Sequence, residues 1–269
     1  MSPLSDWAEP PLEIRRGADL PYLVEHWHLG SRVRHYMSVR RFREVLAAAD
    51  LRPGLRVLDV GCGWGYGTHW ARARGCRVSG IDLGMDQLRW ARRELPDAAG
   101  LGLTNANAKA LPFRDGAFDR VVSVEMMEHV FRPDRPAVFA ELARVLARGG
   151  RLALSTPNPS SPIERLKQVA VVLPALRRAL PSACFPEASD TETEYHPYRY
   201  HHPLTLAGLR AGLTGAGLTV LGARRFLWVM KTLPDGLFGA AHAAEAVAEA
   251  LPLVRRMGAT TLVWAEKRA

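Results

Sequence analysis

At 269 residues, with 48% hydrophobic and 23% charged residues, the chain can bury a full-sized core and does not have the composition of a disordered polymer. The net charge of +9 and pI near 10.0 come almost wholly from scattered arginines, lysine occurring only four times, which reads as a solvated basic surface rather than a nucleic-acid stripe. Cys62, Cys76 and Cys184 are too far apart for a disulfide framework or zinc knuckle, and with no signal pattern and no apolar run of about 20 residues the expected compartment is the cytoplasm.

Residues 1–21, rich in Pro, Gly and charge, read as a loose arm. Tyr22 to Ala49 has helical spacing through Val33, Tyr36, Met37, Val45 and Leu46, so 1–50 form an N-terminal arm and helical cap. Strand and helix then alternate. The predicted order is strand Arg56–Val60, helix Tyr66–Arg74, strand Arg77–Ile81, helix Met85–Glu94, a weak strand Leu101–Thr104, and strand Phe118–Val124. Helix Arg135–Leu146, a turn at Gly149-Gly150 and strand Arg151–Ser155 follow. Residues 157–203 break the rhythm with eight prolines and one helix, Ile163–Val172, and are read as an acceptor-side insertion or lid. Helix Leu204–Ala216, strand Leu218–Arg224, an Ala-rich helical stretch Leu237–Val254 and strand Thr260–Glu266 complete the chain. The alternation predicts an α/β fold, a mostly parallel sheet with helices on both faces, assembled from 51–156 and 204–269.

The first strand enters Asp59-Val60-Gly61-Cys62-Gly63-Trp64-Gly65, a turn whose glycines permit positive φ and close backbone approach of a ligand. The dinucleotide fingerprint G-x-G-x-x-G fails in every register, because Tyr66, Thr68 and Trp70 occupy the final place. No Gly-Lys-Ser/Thr follows, so a phosphate loop is excluded too.

This segment resembles the first motif of class I S-adenosylmethionine methyltransferases, an acidic residue two before G-x-G-x-G. The resemblance implies a Rossmann-like fold, S-adenosylmethionine as methyl donor and S-adenosylhomocysteine as product. Asp59, Gly61, Cys62, Gly63 and Gly65 would form the floor of the cofactor site, with Asp59 at its cationic amino acid end. Asp82, ending the second strand, resembles the acid that accepts from both ribose hydroxyls, with Leu83 beside it. Asn107-Ala108 occupies the place of the family's Asp-Ala at the adenine, Asn accepting there without charge. Ala147-Arg148-Gly149-Gly150 resembles the Leu-x-Pro-Gly-Gly turn, with Arg for Pro. Tyr36 and Glu125 complete the expected cofactor contacts.

On the acceptor side, Glu125-Met126-Met127-Glu128-His129 follows the fourth strand. A related motif serves as a divalent-metal site in one sub-group, but the reading adopted is support of the pocket by Glu125 and capping and packing by Glu128 and His129, without metal. In the second cluster, Glu194 to Pro203, His201 and His202 are adjacent, so at most one joins His129. The candidate catalytic residues are His129 and His202, either as general base, with Glu125. The resulting expectation is an enzyme methylating a small-molecule acceptor, chiefly on oxygen: a natural product, quinone-like compound or glycan. An RNA methyltransferase and a non-catalytic cofactor-binding regulator stay open, with nucleic acid disfavoured for want of an RNA-binding module. The 237–256 segment could rest on a membrane, but burial on its own sheet or in a homodimer is favoured.

Overall fold

The computed structural model describes residues 7–12, 14, 20–95, 102–162, 164–165, 201–231 and 233–268. The expected helix Ile163–Val172 and most of the 157–203 insertion, including Glu194 to Tyr200, lie outside them. One seven-stranded sheet organises the rest. Its strands are β1 (Arg56–Val60), β2 (Arg77–Asp82), β3 (Gly102–Asn105), β4 (Phe118–Val124), β5 (Leu146–Pro157), β6 (Leu218–Phe226) and β7 (Thr260–Lys267), in the order β3-β2-β1-β4-β5-β7-β6. β1 to β5 run parallel, and β7 is antiparallel to both β5 and β6. The chain therefore runs outward from β1 through β2 to β3, then returns to β4 on the other side of β1. That reversal opens a crevice beyond the carboxyl ends of β1 and β4, where open α/β sheets bind ligands.

Side-chain alternation along the strands feeds two cores. Val57, Val78, Val122, Ala153 and Leu262 face helices α1 (Arg32–Ala48), α2 (Tyr66–Ala73) and α3 (Met85–Glu94); Leu58, Val60, Ile81, Val121, Leu152, Leu154 and Val263 face α4 (Arg135–Val145) and α5 (Leu206–Gly215). A last helix, α6 (Phe238–Ala250), lies against the first core through Phe238 and Ala241.

Three local expectations change. The predicted helix from Tyr22 is interrupted at Gly30, where a side chain would meet the His26 carbonyl oxygen at 2.3 Å, and Ser31 starts α1 anew by accepting from the Arg34 N–H at 3.3 Å. Gly149-Gly150 is not a free turn but part of β5, which bulges opposite Phe118–Arg120 and takes φ 70° at Gly149. The N-terminal arm is not loose where it is described. Trp7 is buried under the Arg74 guanidinium, 4.0 Å from the ring centre, and Glu9 accepts from the Tyr66 hydroxyl and from His35 Nε2 at 3.1 Å. The arm thus ties α1 to α2.

Candidate active site

The turn after β1 is held open by backbone conformation. Gly61, Gly63 and Gly65 all take positive φ, at 76°, 53° and 83°. A side chain at Gly61 would come within 2.4 Å of Met126 Cγ, and one at Gly63 within 2.9 Å of Gln87 Oε1, so only bare backbone fits. The Gly61 and Cys62 N–H groups both donate to the Ile81 carbonyl at 2.9 Å, fastening the turn to the end of β2. Cys62 is buried and its thiol is pushed up by that burial and by the nearby Asp59 and Asp82 charges, which suits packing rather than nucleophilic work.

Asp82 ends β2 beside this turn. Its Oδ2 accepts from the Gly63 N–H at 2.8 Å and its Oδ1 from the Gly84 N–H at 2.7 Å, so both oxygens are fixed and each keeps a further lone pair. Leu83 and Met85, both exposed, provide an apolar shelf beside it. Asp59 is only 1% exposed, its Oδ2 3.4 Å from the Thr68 hydroxyl, and burial together with the Asp82 charge pushes its carboxyl up to about 7. Asn107 is exposed and its side-chain oxygen accepts from the Lys109 N–H at 3.0 Å, leaving one lone pair for a ligand. Ala108 packs against the second core. Tyr36 lies elsewhere: its hydroxyl donates to Glu245 and its ring packs edge-on to Phe238 and His242, on the side of α6. Gln87 belongs to no motif read from the sequence, yet its side-chain oxygen is buried at the glycine turn without a hydrogen-bond partner.

These residues fit an adenosyl sulfonium bearing an amino acid. The turn admits backbone contact, Asp82 presents two oriented acceptors for a diol, Asp59 is a buried carboxylate to which a cationic amino group is complementary, and Gln87 holds an orphaned acceptor.

Beyond β4 the chain turns through Glu125, a non-glycine residue at φ 52°. Backbone held in that region costs about 1–3 kcal/mol and persists where surroundings impose it. Here the Ser155 hydroxyl donates to Glu125 Oε1 at 2.8 Å and Arg41, from α1, pairs with Oε2 at 3.3 Å. Glu128 is 1% exposed, accepting from the Thr156 hydroxyl at 3.0 Å, and burial reinforced by the Glu125 charge pushes its carboxyl well above the usual range. His129 Nε2 lies 3.9 Å from Glu128 Oε1 and its ring meets that of His201 at 5.3 Å. Glu128, His129 and His201 bring one donor atom each within 4.8 Å of one another. The imidazole beside His129 is therefore His201; the sequence reading leaves open which of the two joins His129 and names His202 as an alternative base. His202 Nδ1 faces Arg132 Nη2 at 3.0 Å, and its N–H donates to the Glu128 carbonyl at 2.8 Å, so it anchors the loop. Arg41 and Ser155 also escape sequence reasoning, because they reach the site only through folding.

Residues 58–154 match the model of a methyltransferase domain. That segment is a class I S-adenosylmethionine-dependent methyltransferase domain. The chain's match to Methyltransferase GfsG of Streptomyces halstedii is 40% identical over 122 residues, 43% of this chain and 42% of that protein. The ubiquinone biosynthesis O-methyltransferase of Xanthomonas oryzae pv. oryzae is 37% identical over 126 residues, 46% of this chain and 52% of that one. The chain thus spans about half the length of the curated relatives it matches. The solved S-adenosylmethionine-dependent methyltransferase from Mesorhizobium loti superposes with a TM-score of 0.57 at 21% identity, over 83% of this chain and 96% of that one, which establishes the methyltransferase fold beyond the matched segment. In this methyltransferase domain the matched segment runs from β1 to β5 and so contains Asp59, Asp82, Glu125 and His129, while His201 and Arg41 lie outside it.

Proposed function

We infer that the chain moves a methyl group from S-adenosylmethionine to a hydroxyl of a small-molecule acceptor, with His129 as the general base. The observation that carries this is the placing of two sites at the ends of the strands that flank β1, joined where Met126 overlies Gly61: the oriented oxygens of Asp82 at the end of β2, and the Glu128–His129–His201 cluster after β4. The relative named as a ubiquinone biosynthesis O-methyltransferase supports oxygen as the reacting atom.

The bound cofactor supplies a methyl already activated on a cationic sulfur, so the protein's task is alignment, exclusion of water and removal of one proton. Gly61, Gly63 and Asp82 hold the donor, and Asp59 meets its amino group. Glu125, fixed by Ser155 and Arg41, shapes the wall between donor and acceptor. His129 takes the acceptor's proton at a ring nitrogen while His201 packs against its ring and orients it. Glu128, buried and accepting from the Thr156 hydroxyl, stands beside His129 and fixes the position of this pair.

The test uses isotopically labelled methyl donor with a panel of hydroxylated small molecules and cell extract, read by mass spectrometry. His129→Ala is expected to lower turnover by about 10²-fold, the usual worth of a general base, with donor affinity by calorimetry unchanged. Full turnover in that variant rejects His129 as base. Donor binding without transfer to any acceptor makes the chain a cofactor-binding regulator, and absence of donor binding rejects the reading altogether.

A further inference from the structure

The segment from 235 to 257 is built inside out. Its Ala-rich sequence predicts an apolar stripe turned inward, yet the buried residue of α6 is Glu245, 2% exposed. All three acids of the segment are engaged by the protein, Glu245 and Glu249 turned inward and Asp235 exposed but capping α1. Asp235 caps α1 by accepting from the Arg32 and Val33 N–H groups at 3.2 and 3.4 Å. Glu245 accepts from the Trp228 N–H at 2.7 Å and from the Tyr36 hydroxyl. Glu249 pairs with Arg40 and Arg224, each at 2.8 Å.

What remains outside is apolar and cationic. Leu237, Ala240, Ala244, Val247 and Leu251 recur every three or four residues, which places them on one helix face, and all are exposed. Leu237 is 57% exposed, Val247 62%, Leu251 48%, and Leu253 and Met257 in the following turn 75% and 43%. Arg255 and Arg256, also exposed, border that turn. At 13 residues α6 is far short of the roughly 20 needed to cross a bilayer. An apolar face with arginines at its edge, the acids of its helix turned inward, is the composition of a helix lying in the plane of a membrane interface. The occupant follows from charge: an anionic lipid surface complements Arg255 and Arg256, while Glu245 and Glu249 are turned inward and Asp235 is held at the N-terminus of α1.

We propose that residues 237–257 seat the protein on a bilayer surface containing anionic lipid. Val247, Leu251, Leu253 and Met257 enter the acyl boundary, and Arg255 and Arg256 meet headgroup phosphates. The proposal does not depend on the methyl-transfer reading.

The full chain is sedimented with vesicles of phosphatidylcholine, alone or with about one-third phosphatidylglycerol, at low and high salt. Binding to the anionic vesicles, weakened by salt, is expected. Leu251→Glu with Leu253→Glu abolishes it, and Arg255→Ser with Arg256→Ser weakens it by about fivefold per arginine, the worth of one such charge near an anionic leaflet. Both variants alter exposed residues, and unchanged circular dichroism confirms their folding. Absence of binding to anionic vesicles overturns the proposal, as does binding unaffected by the glutamates. A dimer in sedimentation velocity that Leu253→Glu dissolves, with no vesicle binding, makes the face a contact between copies. A Leu253→Cys thiol that resists labelling in the lipid-free monomer shows that the chain itself covers it.

Discussion

Asp59 illustrates how much a single buried carboxylate can be asked to do. It lies beneath the glycine turn, 2.8 Å from where a side chain at Gly67 would begin, and burial with the Asp82 charge lifts its carboxyl up to about 7. Because the folded state holds this proton more tightly than the unfolded one, Asp59 favours folding below the ordinary carboxyl range and loses that contribution as pH rises toward 7. A cationic amino group in the site reverses the balance by favouring the ionised form. Donor affinity is therefore expected to rise between about pH 5 and 7, and calorimetry near pH 6 in buffers of different ionisation enthalpy should detect a released proton. Asp59→Asn should bind more weakly and show neither effect. A flat pH profile in the native chain would confine Asp59 to shaping the turn.

At the scale of elements, α6 is attached by charge and hydrogen bonding rather than by an apolar stripe. Glu245 is the centre of that attachment, accepting from Trp228 on the chain after β6 and from Tyr36 on α1, with Arg40 Nη1 at 3.7 Å. Truncating it leaves a half-buried N–H, a half-buried phenol and a partly stranded guanidinium. Glu245→Ala is expected to cost about 3 kcal/mol, the usual loss when one partner of a buried ionic network is removed. Calorimetric unfolding should show a midpoint lower by roughly 10 °C for a chain of this size. Glu245→Gln keeps an acceptor for Trp228 and should recover more than half of the loss. Equal losses in the two variants would mean that carboxylate charge, not hydrogen bonding, holds α6.

Across the whole molecule, the N-terminal arm reaches back to close the first core, with Glu9 bridging Tyr66 of α2 and His35 of α1. The bond to Glu9 raises the His35 pKa, and the neighbouring carboxylate charge adds to it. A histidine raised in this way contributes stability in full below its unfolded value near 6.5, and that contribution fades as pH climbs through the higher folded value. Hydrogen exchange of residues 7–12 should accordingly become faster above neutral pH than base catalysis alone explains. Glu9→Gln should remove the excess. Identical profiles for the two proteins would show that Trp7 under Arg74 suffices to hold the arm.

Chain order, strand identity and the glycine turn were legible before folding because each is a local matter. Val57 to Val60 reads as a buried strand from its own residues, and Gly61, Gly63 and Gly65 announce positive φ wherever they sit. Asp82 was legible for the same reason, lying at a strand end that the alternation marks. What the sequence by itself determined is thus the α/β architecture, the glycine turn after β1 and the Glu-x-x-Glu-His stretch beyond β4. Only the tertiary structure decided that His201 rather than His202 adjoins His129, that Arg41 and Ser155 hold Glu125, and that α6 turns its acids inward. These outcomes depend on partners far apart in the chain, such as Tyr36 with Glu245, and the period of one helix cannot say which of its faces will find a buried arginine to pair with.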